Sequence, residues 1–590
     1  MDIVSWSFGN EGYPQDQPLY IDSTDISRSL STTDVRTQVR QLVGGLQSHG
    51  LKKGDCVCVV SFNDIHYTSL FLGVIGSGGC FTGANPGYTA HELTHHLRIT
   101  QAKFLLTSPK TLDIALAAAD SCEIPLSRVF VLNFHGEEIP AGRQSWELLL
   151  SCGERDWERV ENPDDTPAAY VSTSGTSGLP KAAVIPHSYF VSQAEFQLKT
   201  SAVRYKISTL ISIPPFHVFT IPVQHALPLR KGTAAYIMPR FETGRFLDVV
   251  EKFRISHIIV VPPMLMTLAH TSESSQLRSI RRIYVGGSCA TDGMQQQLYA
   301  KLPSLARIEQ VYGMTEVGWA TTWHDRQQEC TGSVGRPLPG TELRLVDRDG
   351  EVITEEGVNG EIHIHCPHPM MGYLNNPAAT AESFSPDGWV RTGDVGYIRD
   401  GKWYVVDRTK DLIKVRGWQV SPVEIEAVLL EHHLVTDAAV IGAAAQDGTG
   451  EVPIAFVVKA DDSLQEDDIK NFLSKRLARY KGVDEVVFVD AIPRNPTGKI
   501  LRRDLEKYQQ ERDREAQLDG RSSPSPVSSP RSVRTASLTD ASTVSQEDPP
   551  TPPSEPIFVP MRRNKRAGDP LAPVTVKRRS ARVAAIRIRG

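Results

Sequence analysis

The sequence predicts an α/β fold: a large N-terminal α/β domain with a β-barrel-like subdomain, a smaller C-terminal α/β stretch and a disordered tail. Three observations predict it. Between about residues 20 and 515, short β-rich runs alternate with helix-length segments, the pattern of helices laid on mostly parallel sheet. With 590 residues, 40% hydrophobic and 23% charged, the chain can build several cores. Residues 521–590 hold 11 Pro and 11 Ser and no aromatic after Phe558, too little apolar surface to offset ordering entropy.

The elements follow in order. Asp55–Ser61 reads as a buried strand, and Ala102–Thr107 and Arg128–Leu132 follow at βα spacing. Arg254–Val261 is a further apolar strand, stopped by Pro262 and Pro263. After about residue 332 the text turns to strands and tight turns: Glu342–Asp347 with Asp349-Gly350, then Asn359-Gly360 with alternation to His365. Residues 411–515 return to α/β, with a helix at Pro422–His432, a strand at Ile454–Lys459 and a helix at Glu466–Arg479. No repeat of 20–50 residues interrupts this order.

Charge and composition exclude several classes. Net charge is −5, but residues 521–590 carry 13 Lys/Arg against 5 Asp/Glu, leaving an acidic body and a basic tail. The body therefore has no electrostatic footprint for nucleic acid. The eight cysteines are scattered without paired CxxC elements, which fits reduced thiols better than zinc. The start, Met1-Asp2-Ile3-Val4-Ser5-Trp6, is no secretory signal, and Ile588-Arg589-Gly590 is neither a peroxisomal nor a prenylation signal. Runs such as Thr68–Phe81 and Ile255–Met266 are too short or too broken to span a bilayer. A cytoplasmic protein is expected. The clusters Arg562-Arg563-Asn564-Lys565-Arg566 and Lys577-Arg578-Arg579 read as a solvated tail or as a nuclear-import or anionic-surface element.

The chemistry starts at Thr173-Ser174-Gly175-Thr176-Ser177-Gly178-Leu179-Pro180-Lys181. Glycines let backbone N–H groups close around phosphate oxygens, hydroxyls add donors and the lysine adds charge. The spacing is not that of a Walker A loop. An ordered series follows: Tyr312-Gly313-Met314-Thr315-Glu316, Arg391-Thr392-Gly393-Asp394, Asp407-Arg408-Thr409-Lys410-Asp411 and Pro496-Thr497-Gly498-Lys499.

Together these motifs resemble the adenylate-forming superfamily, and most of all its 4-coumarate:CoA ligase-like acyl-CoA ligases, from about residue 20 to 510. The resemblance implies an adenylation domain over 1–409, a mobile C-terminal domain over 410–515 and a tail over 516–590. It implies ATP, Mg²⁺ and coenzyme A. A carboxylic acid attacks the α-phosphate of ATP to give acyl-adenylate and pyrophosphate, and CoA then displaces AMP. Thr173, Ser174, Gly175, Thr176, Ser177, Gly178 and Lys181 match the phosphate loop. Tyr312 matches the residue against adenine, Thr315 the α-phosphate contact, and Glu316 the Mg²⁺-linked carboxylate, with Thr176 the second metal contact. Asp394 matches the ribose acceptor and Arg408 its basic partner. Lys499 matches the lysine bridging attacking carboxylate and α-phosphate, and Lys410 the hinge. Lys414 and Gln419 match polar groups brought in for thioester formation.

The acyl pocket is expected at His217, Phe219, Gly286, Gly287, Val311 and Ala320. Amino-acid adenylation domains place an aspartate where this chain has His217, and a buried ammonium without a carboxylate is costly. Phe219 replaces a tyrosine that meets a ring hydroxyl in the coumarate ligases, and Val311 replaces a glycine. A shallow, apolar pocket follows, suited to a short or medium aliphatic acid or an unsubstituted aromatic acid. Ala182 replaces a glycine, which would strain the loop if a positive φ were needed there. Two other readings stand beside the ligase: an enzyme loading an acyl carrier protein in trans, and a non-catalytic relic with a nuclear or scaffold role. Intact Lys499, Glu316, Asp394 and Arg408 argue against the relic.

Overall fold

The computed structural model describes residues 1–518 except 174–179, 201–202, 289, 324–326, 409–410, 416–417, 446–450, 478 and 496–497. For residues 199, 200, 414, 418, 419, 480 and 515–518 the backbone alone is described. Of the predicted tail, 516–518 close the helix Arg502–Leu518 and 519–590 lie outside the described residues, as do the predicted hinge residue Lys410 and the joint at 409–410.

Two large sheets carry the first 340 residues or so. One has eight strands, with Cys56–Val60 between Cys80–Ala84 and Ala102–Thr107, all parallel. Its other side continues through Pro167–Thr173 to Lys181–Pro186 and Gly372–Tyr373, where pairing turns antiparallel. The second has nine strands; Ala234–Ile237, Ser208–Ile211, His257–Val260, Arg282–Gly286 and Arg307–Met314 run parallel, and Gly318–Thr322 returns antiparallel. The fully buried strands are the continuous apolar runs of the sequence, as parallel sheet covered on both faces requires. A single apolar cluster unites residues from both sheets.

Local signals set the helices. Thr32–Ser48 starts on a capping box between Ser31 and Asp34, and Ala90–Thr100 on one between Thr89 and Glu92. Tyr67–Gly76 is apolar all round and buried at all ten positions, so its hydrophobicity belongs to the core rather than to a membrane. Pro262 and Pro263 end the strand His257–Val260 as expected and also open the helix Pro262–Thr271, where a missing N–H costs nothing. Among the described residues no helix is long and apolar enough to cross a membrane.

The barrel-like region is a five-stranded antiparallel sheet, ordered Val352–Ile353, Glu342–Val346, Gly360–His365, Val390–Arg399, Lys402–Arg408. No ladder joins its two edge strands among the described residues, so it is an open sheet. Beyond it a smaller core forms around Val435–Ala444, Glu451–Lys459 and Glu485–Phe488, with helices Pro422–Leu429 and Glu466–Ser474. Both helices stop short of their predicted ends. The chain after Ser474 turns into a separate 3₁₀ segment at Arg479–Lys481. The large and small cores belong to one compact unit. Cys56, Cys58, Cys80, Cys122, Cys152, Cys330 and Cys366 are free thiols, and Cys289 lies outside the described residues.

Candidate active site

A cavity of about 560 Å³ opens where the two sheets, the antiparallel sheet and the small core meet. Thr173 and Lys181 reach it from paired strand ends. Ser174, Gly175, Thr176, Ser177 and Gly178, the tip between them, lie outside the described residues. Lys181 is partly buried, its ammonium 4.8 Å from the centre of the Tyr373 ring. Ala182 sits in regular strand opposite Ser172 and has no positive φ, so the replaced glycine leaves no strain.

The turn between Arg307–Met314 and Gly318–Thr322 brings Thr315 and Glu316 to the wall. Its tightness demands glycine: Gly318 has φ +77°, and a Cβ there would lie 2.4 Å from Gln193 Cδ. The Tyr189 hydroxyl donates to the Thr315 carbonyl at 3.0 Å, and the Met370 N–H to the Glu316 carbonyl at 2.8 Å. The Glu316 carboxylate accepts from the Tyr373 hydroxyl through Oε1.

A second cavity, of about 540 Å³, shares Gly287, Val311, Gly313, Arg408 and Lys499 with the first and adds Tyr312 and Asp394. Asp394 is buried and doubly held: Tyr312 Oη donates to Oδ2 at 2.8 Å, and Arg408 Nε to Oδ1 at 3.1 Å. Burial, with Asp394 beside it, holds the Tyr312 phenol far above its ordinary value, so it stays a donor. Asp407, next to Arg408, accepts from the Ser421 hydroxyl at 2.9 Å; burial lifts its carboxyl to about 6, against the nearby Arg502.

Lys499 enters from the small core on a tight loop. The Asn495 side chain accepts from the Lys499 N–H, and Asn495 N–H donates back to the Lys499 carbonyl, each at 2.9 Å. Arg494, paired with Asp437, donates to the Gly498 carbonyl at 2.8 Å. Gly498 has φ +81°, and a Cβ there would lie 3.1 Å from Val261 Cγ2 and 3.2 Å from Pro263 Cδ. The loop is thus seated against the large core by a residue that must be glycine. Burial lowers the Lys499 ammonium below the usual lysine value; Arg408 pushes the same way, and Asp394, Glu316 and Asp411 oppose it.

On the opposite wall stand Phe216, His217, Val218, Phe219, Val311 and Trp319. His217 Nδ1 accepts from the Phe219 N–H at 3.3 Å, and burial, aided by Lys499, holds this imidazole down to about 4. Phe219 and Trp319 pack with ring centres 5.3 Å apart. Gly287 lines the cavity as expected. Gly286 and Ala320 do not. The Phe219 ring covers Gly286, two of its carbons 3.0 Å from where a Cβ would stand. Ala320, the neighbour of Trp319 on an alternating strand, faces the cluster with Val317 and Ile362 instead. Lys414 and Gln419 lie on a short hairpin, opposite each other in register, with their side chains outside the description.

Sequence reasoning missed Trp319, Tyr373 and Gly83. Gly83 lines the cavity, and it is held to glycine because a Cβ there would lie 2.2 Å from Phe216 Cβ. None carries a charge, and Tyr373 is 57 residues from the Glu316 it bonds. The one local sign was the aromatic placed three residues after Glu316.

Paired strand ends at Thr173 and Lys181, a buried carboxylate held by tyrosine and arginine, and a lysine from the small core that lines both adjoining cavities are the arrangement expected of an adenylate-forming enzyme. The comparisons agree. The chain belongs to the AMP-binding enzyme family: its model matches residues 9–374, and that of the AMP-binding enzyme C-terminal domain matches 424–499. The chain is 42% identical to the phenylacetyl-CoA ligase epaB of Aspergillus niger, over 87% of this chain and 97% of that one. It is 42% identical to the acyl-CoA ligase azaF of the same species, over 85% and 97%. ATP-bound MatB from Rhodopseudomonas palustris shares the fold with a TM-score of 0.77, at 24% identity over 87% and 99% of the two chains.

Proposed function

We infer that this acyl-CoA ligase activates an apolar monocarboxylic acid, with one unsubstituted ring or a short chain, and passes the acyl group to CoA. As a ligase of this family it uses ATP and works in two half-reactions. An acid oxygen bonds to the α-phosphorus as the bond to the β-phosphate oxygen breaks, releasing pyrophosphate. The CoA thiol then gives up its proton as its sulfur bonds to the acyl carbon, and AMP leaves with the pair of the broken acyl–oxygen bond.

The observation that carries this reading is the position of Lys499. It shares one cavity with Thr315, Glu316 and Arg408 on one side and His217, Phe219 and Val311 on the other. An anion must approach a polyanion there, and a cation between them offsets the repulsion. Thr173 to Gly178 and Lys181 would hold the phosphates, Tyr312 the adenine and Asp394 with Arg408 the ribose. Lys410 would turn the small domain between half-reactions, bringing Lys414 and Gln419 to the thioester step. Glu316 fits a magnesium site: among the described residues only its Oε1 accepts a hydrogen bond, and Mg²⁺ is commonly held by one or two carboxylates plus phosphates. The ion, with Thr176 as a second contact, would supply phosphate charge neutralisation.

The acid class rests on the wall. Phe216, Phe219, Val311 and Trp319 offer an apolar surface, with His217 neutral. None of these wall residues is a carboxylate that could meet an ammonium, and a relative at 42% identity is a phenylacetyl-CoA ligase. The test is pyrophosphate release with ATP, Mg²⁺ and a panel of acids, with and without CoA, for wild type and Lys499→Ala. Acid-dependent release, abolished by Lys499→Ala and ending in a CoA thioester by mass spectrometry, supports the ligase. Adenylate without CoA thioester, but with transfer to an acyl carrier protein, supports the carrier-loading alternative instead. A folded, ATP-binding protein silent with every acid would sink both.

A further inference from the structure

Lys181 and Glu316 line the same cavity with opposite charges, yet no ion pair joins them among the described residues. Tyr373 stands in contact with both. Its hydroxyl donates to Glu316 Oε1, and its ring faces the Lys181 ammonium at 4.8 Å. The residue is itself fixed. Gly372–Tyr373 pairs antiparallel with Val184 and Ala183, on the strand that begins at Lys181. The Tyr373 N–H donates to Thr380 Oγ1 at 2.9 Å. The preceding Met370 N–H holds the Glu316 carbonyl. One short strand therefore ties the carboxylate of one sheet to the lysine of the other.

We propose that Tyr373 is a positioning residue of the phosphate end of the site, keeping Lys181 and Glu316 apart and aimed so that neither neutralises the other before ATP binds. The proposal rests on the ligase reading above. A carboxylate has two oxygens. Tyr373 occupies one and leaves the other for an ion that neutralises phosphate. The ring attracts the ammonium through its face without neutralising it, so Lys181 can leave for a phosphate oxygen at small cost. Without the spacer, ammonium and carboxylate would pair directly, and ATP would have to break that pair on entry.

The test compares Tyr373→Phe, which keeps the ring and loses the hydroxyl, with Tyr373→Leu, which loses both. Binding of ATP to the full chain is measured by calorimetry, once with Mg²⁺ and once with EDTA, alongside the thermal midpoint. Loss of a hydrogen bond to a charged group predicts that Tyr373→Phe binds Mg²⁺·ATP about tenfold more weakly. The same variant should bind metal-free ATP within about twofold of wild type, because the ring still faces Lys181. Tyr373→Leu should weaken both forms. A Phe variant that matches wild type with Mg²⁺, or that loses both forms equally, overturns the proposal. So does a lowered midpoint with both affinities unchanged, which marks a packing role alone. Failure of wild type itself to bind ATP would instead sink the ligase reading, and the proposal with it.

Discussion

The Tyr312 hydroxyl donates to Asp394 Oδ2 at 2.8 Å, joining a strand of the nine-stranded sheet to one of the antiparallel sheet 82 residues later. With Arg408 on the other oxygen, the carboxylate is fixed before any nucleotide arrives. Asp394→Asn should weaken ATP binding about ten- to a hundredfold, since the amide presents one acceptor where the carboxylate presents two. Tyr312→Phe, losing one bond and keeping the ring, should cost less than Asp394→Asn. Equilibrium titration with ATP checks both, and equal affinities for the two variants would refute the ranking.

Lys499→Ala should slow acid-dependent pyrophosphate release about a hundred- to a thousandfold, the usual effect of removing one transition-state charge donor. Thioester formation from a supplied acyl-adenylate should be much less affected, because the role proposed for the lysine's charge lies in the first half-reaction. Slowing of both steps by the same factor would argue for a structural role.

The pH profile follows from the same residue. The Lys499 ammonium is held below the ordinary lysine value, so it is lost sooner as pH rises. The alkaline fall in kcat/KM for adenylation should begin below the range of a free lysine, and Lys499→Arg should shift it upward. His217 loses its proton near 4 and stays neutral above that, so it contributes no limb near neutrality. An acidic limb near pH 6–7 that His217→Gln removed would contradict this.

Arg282 and Glu309 form a buried ion pair, Nε to Oε1 at 2.9 Å, with the Tyr284 hydroxyl accepting from Arg282 Nη1 at 3.1 Å. Burial lifts the Glu309 carboxyl to about 7, against the pull of Arg282 and Arg307. Its folded value thus lies above the unfolded one, so the contribution of this group to stability falls as pH rises through that interval. Arg282→Leu removes the partner and should cost roughly 3–5 kcal/mol at pH 8. The loss should shrink toward pH 5, where Glu309 takes a proton. Urea unfolding at both pH values checks the sign.

Trp319 and Val311 line the cavity wall proposed to receive the acyl group. Val311→Gly should raise kcat/KM for ring-substituted acids relative to the unsubstituted ring by about tenfold, the scale of one or two methylenes in an apolar pocket. Trp319→Ala should extend the accepted length further, toward the Tyr284 ring that packs on the indole at 5.5 Å between centres. Unchanged relative rates across a graded acid series would place the specificity elsewhere.

Much of this was legible in the chain. Continuous apolar runs such as Cys56–Val60 and His257–Val260 could only be strands buried on both faces. The helix starts at Pro422 and Glu466 were legible, and the ends less so: after Ser474 no breaker residue announces the turn. In the candidate site, charged and glycine-rich motifs stood out because phosphate chemistry restricts residue type. Gly286 and Ala320 misled, because proximity to a motif does not say which face of a strand a side chain takes.

The sequence by itself determined the chemical inventory and its order: a loop rich in glycine and hydroxyls ending at Lys181, a threonine and carboxylate at Thr315 and Glu316, Asp394, Arg408, and a lysine at 499 preceded by glycine. These are local demands, met by residue type and short spacing. Tertiary structure decided what meets what. Strand order put Tyr373 between Lys181 and Glu316, packing turned Trp319 inward and Ala320 away, and the small core carried Lys499 into a cavity built by the large one. The physical reason is that contacts across tens to hundreds of residues are set by which apolar faces bury against each other, and no local spacing encodes that choice.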